Sequence, residues 1–210
     1  MKERIPYVNE LIEQVYKLGW SLGTDVGPTA EILTNPEKFS AMTDEQMDNF
    51  FENIYSEDGI ISELESIRDP EGDYQPIIAT IKSILEKDGN CWNVLFPQVF
   101  ALLDRFWCYV SGMYFTEIAF TKFEKKLIES ITTSKEVLSK EDFYKYILLK
   151  NSDMIKKLFK STGTKNASNK YNRNTIMHGN YNPKNYEYKQ FQQLVVLLSS
   201  LSAFCNELII

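Results

Sequence analysis

The amino-acid sequence predicts an all-α protein. Apolar residues recur at spacings of three and four along most of the chain, and helix-start and helix-stop residues punctuate those runs. No segment alternates apolar with polar residues over the length of a convincing strand. Val8, Leu11, Ile12, Val15 and Tyr16 form one face of a first helix, which Gly19 and Gly23 end. Gly27, Pro28 and Pro36 predict a loop. Thr43-Asp44-Glu45-Gln46 has the form of a capping box and opens a helix through Met47, Phe50, Phe51 and Ile54. A short helix over 59–68 stops at the turn signal Asp69-Pro70-Glu71-Gly72. Ile77, Ile78, Ile81, Ile84 and Leu85 predict another over 74–87, broken by Asp88-Gly89-Asn90.

The second half is more apolar. From about Val94 to Tyr109, Leu95, Val99, Leu102, Phe106 and Val110 mark one helix face. Phe96, Phe100, Leu103 and Trp107 mark another, so little of this helix is left for water. Asp104-Arg105 interrupts it. Asp104 shares a stripe with Phe100, Ala101 and Cys108, and a carboxylate aimed at protein needs a partner. A helix over Phe115–Ile131 follows, then one from Ser139 through Phe143, Ile147 and Leu148, which Ile155, Leu158 and Phe159 extend or restart. Residues 161–168 are a polar loop. A short helix, capped by Ser168 or Asn169, then leads to Pro183 and a long last helix with Phe191, Leu194, Leu198, Leu201, Cys205 and Leu208 in one stripe. Asp88-Gly89-Asn90 divides an acidic N-terminal helical region, 1–90, from a helical bundle, 91–210; the two equally fit one continuous domain.

Composition narrows the function classes. The three cysteines are odd in number and far apart, which argues against a disulfide framework and fits a reducing, cytoplasmic setting. The N-terminus lacks the apolar core of a signal peptide. Serines, Asn206 and Glu207 break the apolar stretch Leu194–Ile210, so no membrane insertion is expected. No Walker loop, GxGxxG, HExxH, GxSxG or Cys/His zinc spacing is present. With one histidine and no acidic ligand cluster beside it, no metal and no cofactor is expected. The net charge of −6 conceals an asymmetry: residues 1–90 carry a net −12, residues 91–149 balance, and residues 150–189 carry +7. A local cationic segment can attract phosphates even on an acidic protein, because screening confines fields to roughly 10 Å. It can equally be a solvated lysine-rich face.

That segment surrounds Asn172-Arg173-Asn174-Thr175-Ile176-Met177-His178-Gly179, which holds the only histidine. On an ideal helix, residues five apart differ in direction by about 140°, so Arg173 and His178 do not share a face, whereas Asn174 and His178 do. Gly179 stands where a helix stops, and a helix C-terminus favours imidazolium, which makes His178 a readier proton donor. Arg-x4-His with a polar residue after the arginine and Gly after the histidine, followed by a long apolar last helix, resembles the signature of HEPN domains. The resemblance covers 91–210 and does not extend to the N-terminal part.

HEPN domains are all-α bundles of four or more helices, and many are metal-independent ribonucleases of toxin–antitoxin, abortive-infection and CRISPR-associated systems. The resemblance implies a HEPN-like helical bundle with additional N-terminal helices. It implies that Arg173 holds the scissile phosphate, His178 transfers a proton or stabilises the leaving group, and Asn174 hydrogen-bonds within the site. Asp104 is the natural match for the acidic residue that many members carry on an earlier core helix. A toxin subgroup continues the motif as His-x-Tyr; here Tyr181 stands one position too far and Asn180 takes its place. Lys165, Lys170 and Lys184 are candidate RNA contacts from the basic segment, and Tyr171 and Tyr181 are candidates for stacking on bases or for packing. Metal-free RNA cleavage needs more than one acid/base group, and this chain has one histidine. A homodimer that brings two Arg173/His178 pairs to one cleft supplies the second. The expected function is therefore a dimeric endoribonuclease of a defence or toxin system, with RNA as substrate and an antitoxin or regulatory partner. The alternative is a noncatalytic module that binds a nucleotide or a protein.

Overall fold

A computed structural model describes residues 8–23, 27–113, 116–131, 140–159, 171–177 and 181–207, and among these the regular structure is entirely helical. The helices are α1 (Val8–Lys17), α2 (Pro28–Thr34), α3 (Pro36–Ser40), α4 (Asp44–Ile54), α5 (Glu57–Ser66), α6 (Gln75–Lys87), α7 (Phe96–Ser111), α8 (Glu117–Ser130), α9 (Lys140–Phe159), α10 (Arg173–Met177) and α11 (Tyr188–Glu207). Short 3-10 stretches at Gly89–Val94 and Pro183–Asn185 precede α7 and α11. None of the described helices is long and apolar enough to cross a membrane.

Local chemistry accounts for most boundaries. The capping box closes as expected: Gln46 N donates to Thr43 Oγ1 at 3.2 Å, and Thr43 N donates to Gln46 Oε1 at 2.9 Å. Helix α7 stops at Gly112, which takes a left-handed φ of 64° and donates its N–H to Cys108 O. Where a loop was expected around Pro28 and Pro36, the chain makes two short helices. Each begins with proline at its first turn, where the missing N–H is an orphan anyway and φ is already helical. The run from Ser139 is one continuous 20-residue helix, α9.

Helix α11 is the centre of the molecule. It packs on α5, α7, α9 and the Gly89–Val94 stretch, and Phe191, Leu194, Val195, Leu197, Leu198 and Leu201 are buried along it. Side chains on both sides of Asp88 belong to one apolar cluster running from Leu11 to Phe204. The polar residues of α11 have a specific use. Gln192 donates to Tyr55 O, Gln193 to Leu18 O, and Ser200 to Leu22 O, while Arg68 N donates to Ser202 Oγ. Each satisfies backbone that the N-terminal half leaves open at a helix end or loop. Ion pairs run the same way: Lys189 pairs with Asp48 and Glu52, and Lys150 with Glu13. Part of the basic segment is therefore matched to acids of the N-terminal half.

Ser199 Oγ donates to Glu63, a half-buried carboxyl on α5 facing α11. Burial raises the Glu63 pKa above the ordinary carboxylate range, and the serine hydrogen bond offsets only part of that. A carboxyl that holds its proton more tightly when folded contributes stability that is full below the unfolded pKa and is lost as pH rises through the folded one. Glu63→Gln keeps the acceptor and removes the charge. Its stability relative to wild type is expected to rise as pH goes from about 4 to about 7. Urea unfolding midpoints at both ends of that range check the sign, and a constant difference would rule the idea out.

Candidate functional site

On α7, Ala101, Asp104, Arg105 and Cys108 stand three and four apart and form a stripe of the helix that reaches an opening. Together with Tyr74, Gly112 and Met113 they line an open groove of about 410 Å3. The opposite faces carry Phe96, Val99, Phe100, Leu102, Leu103, Phe106 and Trp107 into the core. The Asp104 carboxylate is consequently half-buried, at 27% side-chain exposure, rather than enclosed.

Its partner comes from 69 residues further along: Arg173 Nη2 donates to Asp104 Oδ2 at 2.7 Å. Burial raises the Asp104 pKa, and the Arg173 hydrogen bond and charge work against it without cancelling it. Arg173 Nη1 donates to Asn174 Oδ1 at 3.2 Å, and the guanidinium carbon lies 5.6 Å from the centre of the Phe159 ring. The arginine is held in place by a carboxylate, an amide and an aromatic face, and each terminal nitrogen has an N–H group that makes no hydrogen bond to the described residues. Its Nε is buried and makes no hydrogen bond to the described residues.

Helix α10 starts at Arg173, later than Ser168 or Asn169 would place it, because Asn172 is the cap. Asn172 Oδ1 accepts from Thr175 N at 2.9 Å, and Thr175 Oγ1 accepts from Asn172 N at 3.3 Å. Such a cap contributes about 1 kcal/mol. Arg173 is thus the first residue of the helix rather than part of a later turn, a place where the helix dipole disfavours a cation. That gives Asp104 a second reason to be opposite it. After α10, Tyr181 N donates to Thr175 O at 3.0 Å and fixes the chain on the far side of 178–180. His178 itself, like Lys165 and Lys170, lies outside the described residues.

The two tyrosines named as stacking candidates are packed. Tyr181 is 7% exposed, lies parallel to Tyr186 at 5.5 Å and edge-on to Tyr171, and donates its hydroxyl to Asn185 O. Tyr171 sits against Phe96 and Phe100, and burial pushes its hydroxyl well above the ordinary tyrosine range. These rings hold the segment around α10 to α7, and Tyr181 has no free face for a base. Lys184 is exposed on the Pro183–Asn185 stretch. Of the other basic-segment residues, Lys150, Lys156 and Lys189 are each paired with an acid. The residues that sequence reasoning missed are Tyr74, Arg105 and Phe159. Arg105 stands next to Asp104 and four before Tyr109, a visible i,i+4 pair, but nothing in the sequence brings Tyr74 to Arg105 or Phe159 to Arg173.

Comparison of the chain with family models, with curated proteins and with solved structures finds no match. Removing either member of the Asp104–Arg173 pair leaves the other charge half-buried. Asp104→Ala and Arg173→Ala are each expected to cost about 1–3 kcal/mol, between the values for exposed and buried pairs. The double variant should lose less than the sum. A double-mutant cycle in denaturant tests this; strict additivity would mean that the pair contributes nothing.

Proposed function

We propose that the chain is a metal-independent endoribonuclease with a HEPN-like arrangement. Arg173 binds the scissile phosphate, His178 transfers a proton, and Asn174 and Asp104 orient the arginine. The observation that supports this reading is the Asp104–Arg173 contact: a carboxylate on a core helix joined across 69 positions to the arginine of an Arg-x4-His motif, at the side of an open groove. An arginine held by its neighbours but with spare N–H groups suits a phosphorane, whose charge builds on oxygens that bidentate donors can reach. Cleavage starts with the ribose 2′-hydroxyl losing its proton and attacking phosphorus. The bond to the 5′-oxygen breaks as that oxygen gains a proton, leaving a 2′,3′-cyclic phosphate and a 5′-hydroxyl. One histidine can serve only one of these transfers at a time, so two chains contribute to each site as a homodimer. An antitoxin or other regulator that masks the cleft is part of this reading.

The same ion pair also suits a noncatalytic module, because Asp104 neutralises the arginine. Incubating the purified protein with single-stranded RNA in the presence of EDTA separates the two. Cleavage to cyclic-phosphate ends is expected, with His178→Ala slower by about 10²–10⁴-fold, the usual contribution of one acid/base group. Mixing His178→Ala with Arg173→Ala chains should restore part of the activity if the sites are shared. Intact RNA, with His178→Ala and wild type equally tolerated on expression in cells, would favour the binding module.

A further inference from the structure

The groove beside the Asp104–Arg173 pair is not used by the chemistry above, and its lining is unusual for a bare surface. Arg105 rises from its floor with its guanidinium carbon 4.2 Å from the Tyr109 ring centre and 5.3 Å from that of Tyr74. Its Nη2 donates to both Tyr109 Oη and Glu71. Its Nη1 makes no hydrogen bond to the described residues. Asp104 is similar: Oδ2 is taken by Arg173, and Oδ1 accepts nothing from the described residues. Cys108 and Met113 add apolar wall.

Tyr74 and Glu71 are placed by a built turn. Asp69 is buried and accepts the N–H of Tyr74 at 2.9 Å, Gly72 takes a φ of 82° that favours glycine, and Gly72 N donates to Asp69 O. The turn carries an aromatic ring and a carboxylate to Arg105. The Glu71 side chain is more than half exposed, and such a pair is worth at most about 1 kcal/mol. Glu71 occupies Arg105 as an anion that a phosphate can displace.

We propose that this groove is a subsite for one nucleotide of a single RNA strand, with the phosphate on Arg105, the base face on Tyr74, and Asp104 Oδ1 accepting a hydrogen bond from a base edge. This rests on the proposed ribonuclease reading, since Asp104 joins the groove to Arg173 and so to the scissile phosphate. About 410 Å3 lies within the usual range of small-ligand sites, roughly 300–1,000 Å3, and gives room for a nucleotide but not a duplex. Stacking on an aromatic ring accepts any base and requires an unpaired one. An arginine fork gives the phosphate directional contacts that a lysine would not.

The test uses the full chain and a short 2′-O-methyl oligonucleotide, which lacks the hydroxyl needed for cleavage. Alkylation by N-ethylmaleimide is followed at Cys108, in the groove, and at Cys91, in the Gly89–Val94 stretch outside it, by mass spectrometry. The oligonucleotide is expected to slow alkylation at Cys108 and leave Cys91 unchanged. Tyr74→Ala should weaken that protection by about 5- to 100-fold in affinity, the range for losing one stacked base. Glu71→Gln, on an exposed turn where folding is not at stake, should strengthen it. Cys108 reacting at an unchanged rate under saturating oligonucleotide overturns the subsite, as does equal protection by inorganic phosphate alone. Protection by nucleoside 5′-monophosphates as tight as by the oligonucleotide overturns the strand and assigns the groove to free nucleotides. Because nothing is cleaved, the readout is independent of catalysis. Protection without RNA cleavage keeps the groove and removes the ribonuclease, whereas cleavage without protection does the reverse.

Discussion

A carboxylate half-buried on a mostly apolar helix must be matched, and the segment around α10 is arranged around that requirement. Asp104 sits on α7, whose other faces carry seven large apolar side chains into the core. Its match is Arg173, and the contact fixes where α10 lies, which in turn depends on the Asn172 cap and on the packing of Tyr171 and Tyr181 against α7 and each other. The pair is neither deep enough to be a pure desolvation cost nor exposed enough to be negligible. It holds a guanidinium at the side of a groove while the described residues leave part of its hydrogen-bonding capacity unspent, a condition for anion recognition that a freely rotating surface arginine does not meet.

Lys150 and Lys189 of the basic region meet acids of the N-terminal region across one interface. Pairs such as Lys189 with Asp48 and Glu52 are partly exposed and individually weak. The apolar cluster supplies the docking energy. The ion pairs and the backbone hydrogen bonds from Gln192, Gln193, Ser200 and Ser202 set the register in which it docks. A serine that breaks an apolar run is uninformative by itself. On α11 two of them, Ser200 and Ser202, bond the backbone of another chain segment where it meets the helix. The consequence for the site is that the net +7 of residues 150–189 overstates its positive field, because several of those cations are already neutralised.

How much was legible in the sequence varied with the range of the interaction. The helical class, the capping box at Thr43, the long last helix and the demand of Asp104 for a partner follow from spacing and from groups within four or five residues of one another. The two short helices at Pro28 and Pro36 were missed because proline reads as a breaker, although at a first helical turn it is a starter. The cap of α10 was displaced from Ser168 or Asn169 to Asn172 for a similar reason: several cap-competent residues stand in a row, and the tertiary contact of Arg173 selects among them. Tyr181 illustrates the opposite error, since an aromatic residue beside a polar motif carries no local mark of whether its ring is covered.

The sequence by itself determined the secondary structure class, the charge imbalance between the halves, and the presence of Arg173 and His178 at a fixed spacing, because each depends only on composition and on local periodicity. Tertiary structure alone decided that Asp104 meets Arg173, that Phe159 lies beneath the guanidinium, and that the Asp69–Tyr74 turn is laid over Arg105. These contacts join residues from 14 to 69 positions apart, and no local pattern encodes them. They exist because the apolar faces of α5, α7, α9 and α11 can be buried together in few ways, and the polar groups that remain on those helices must then find one another.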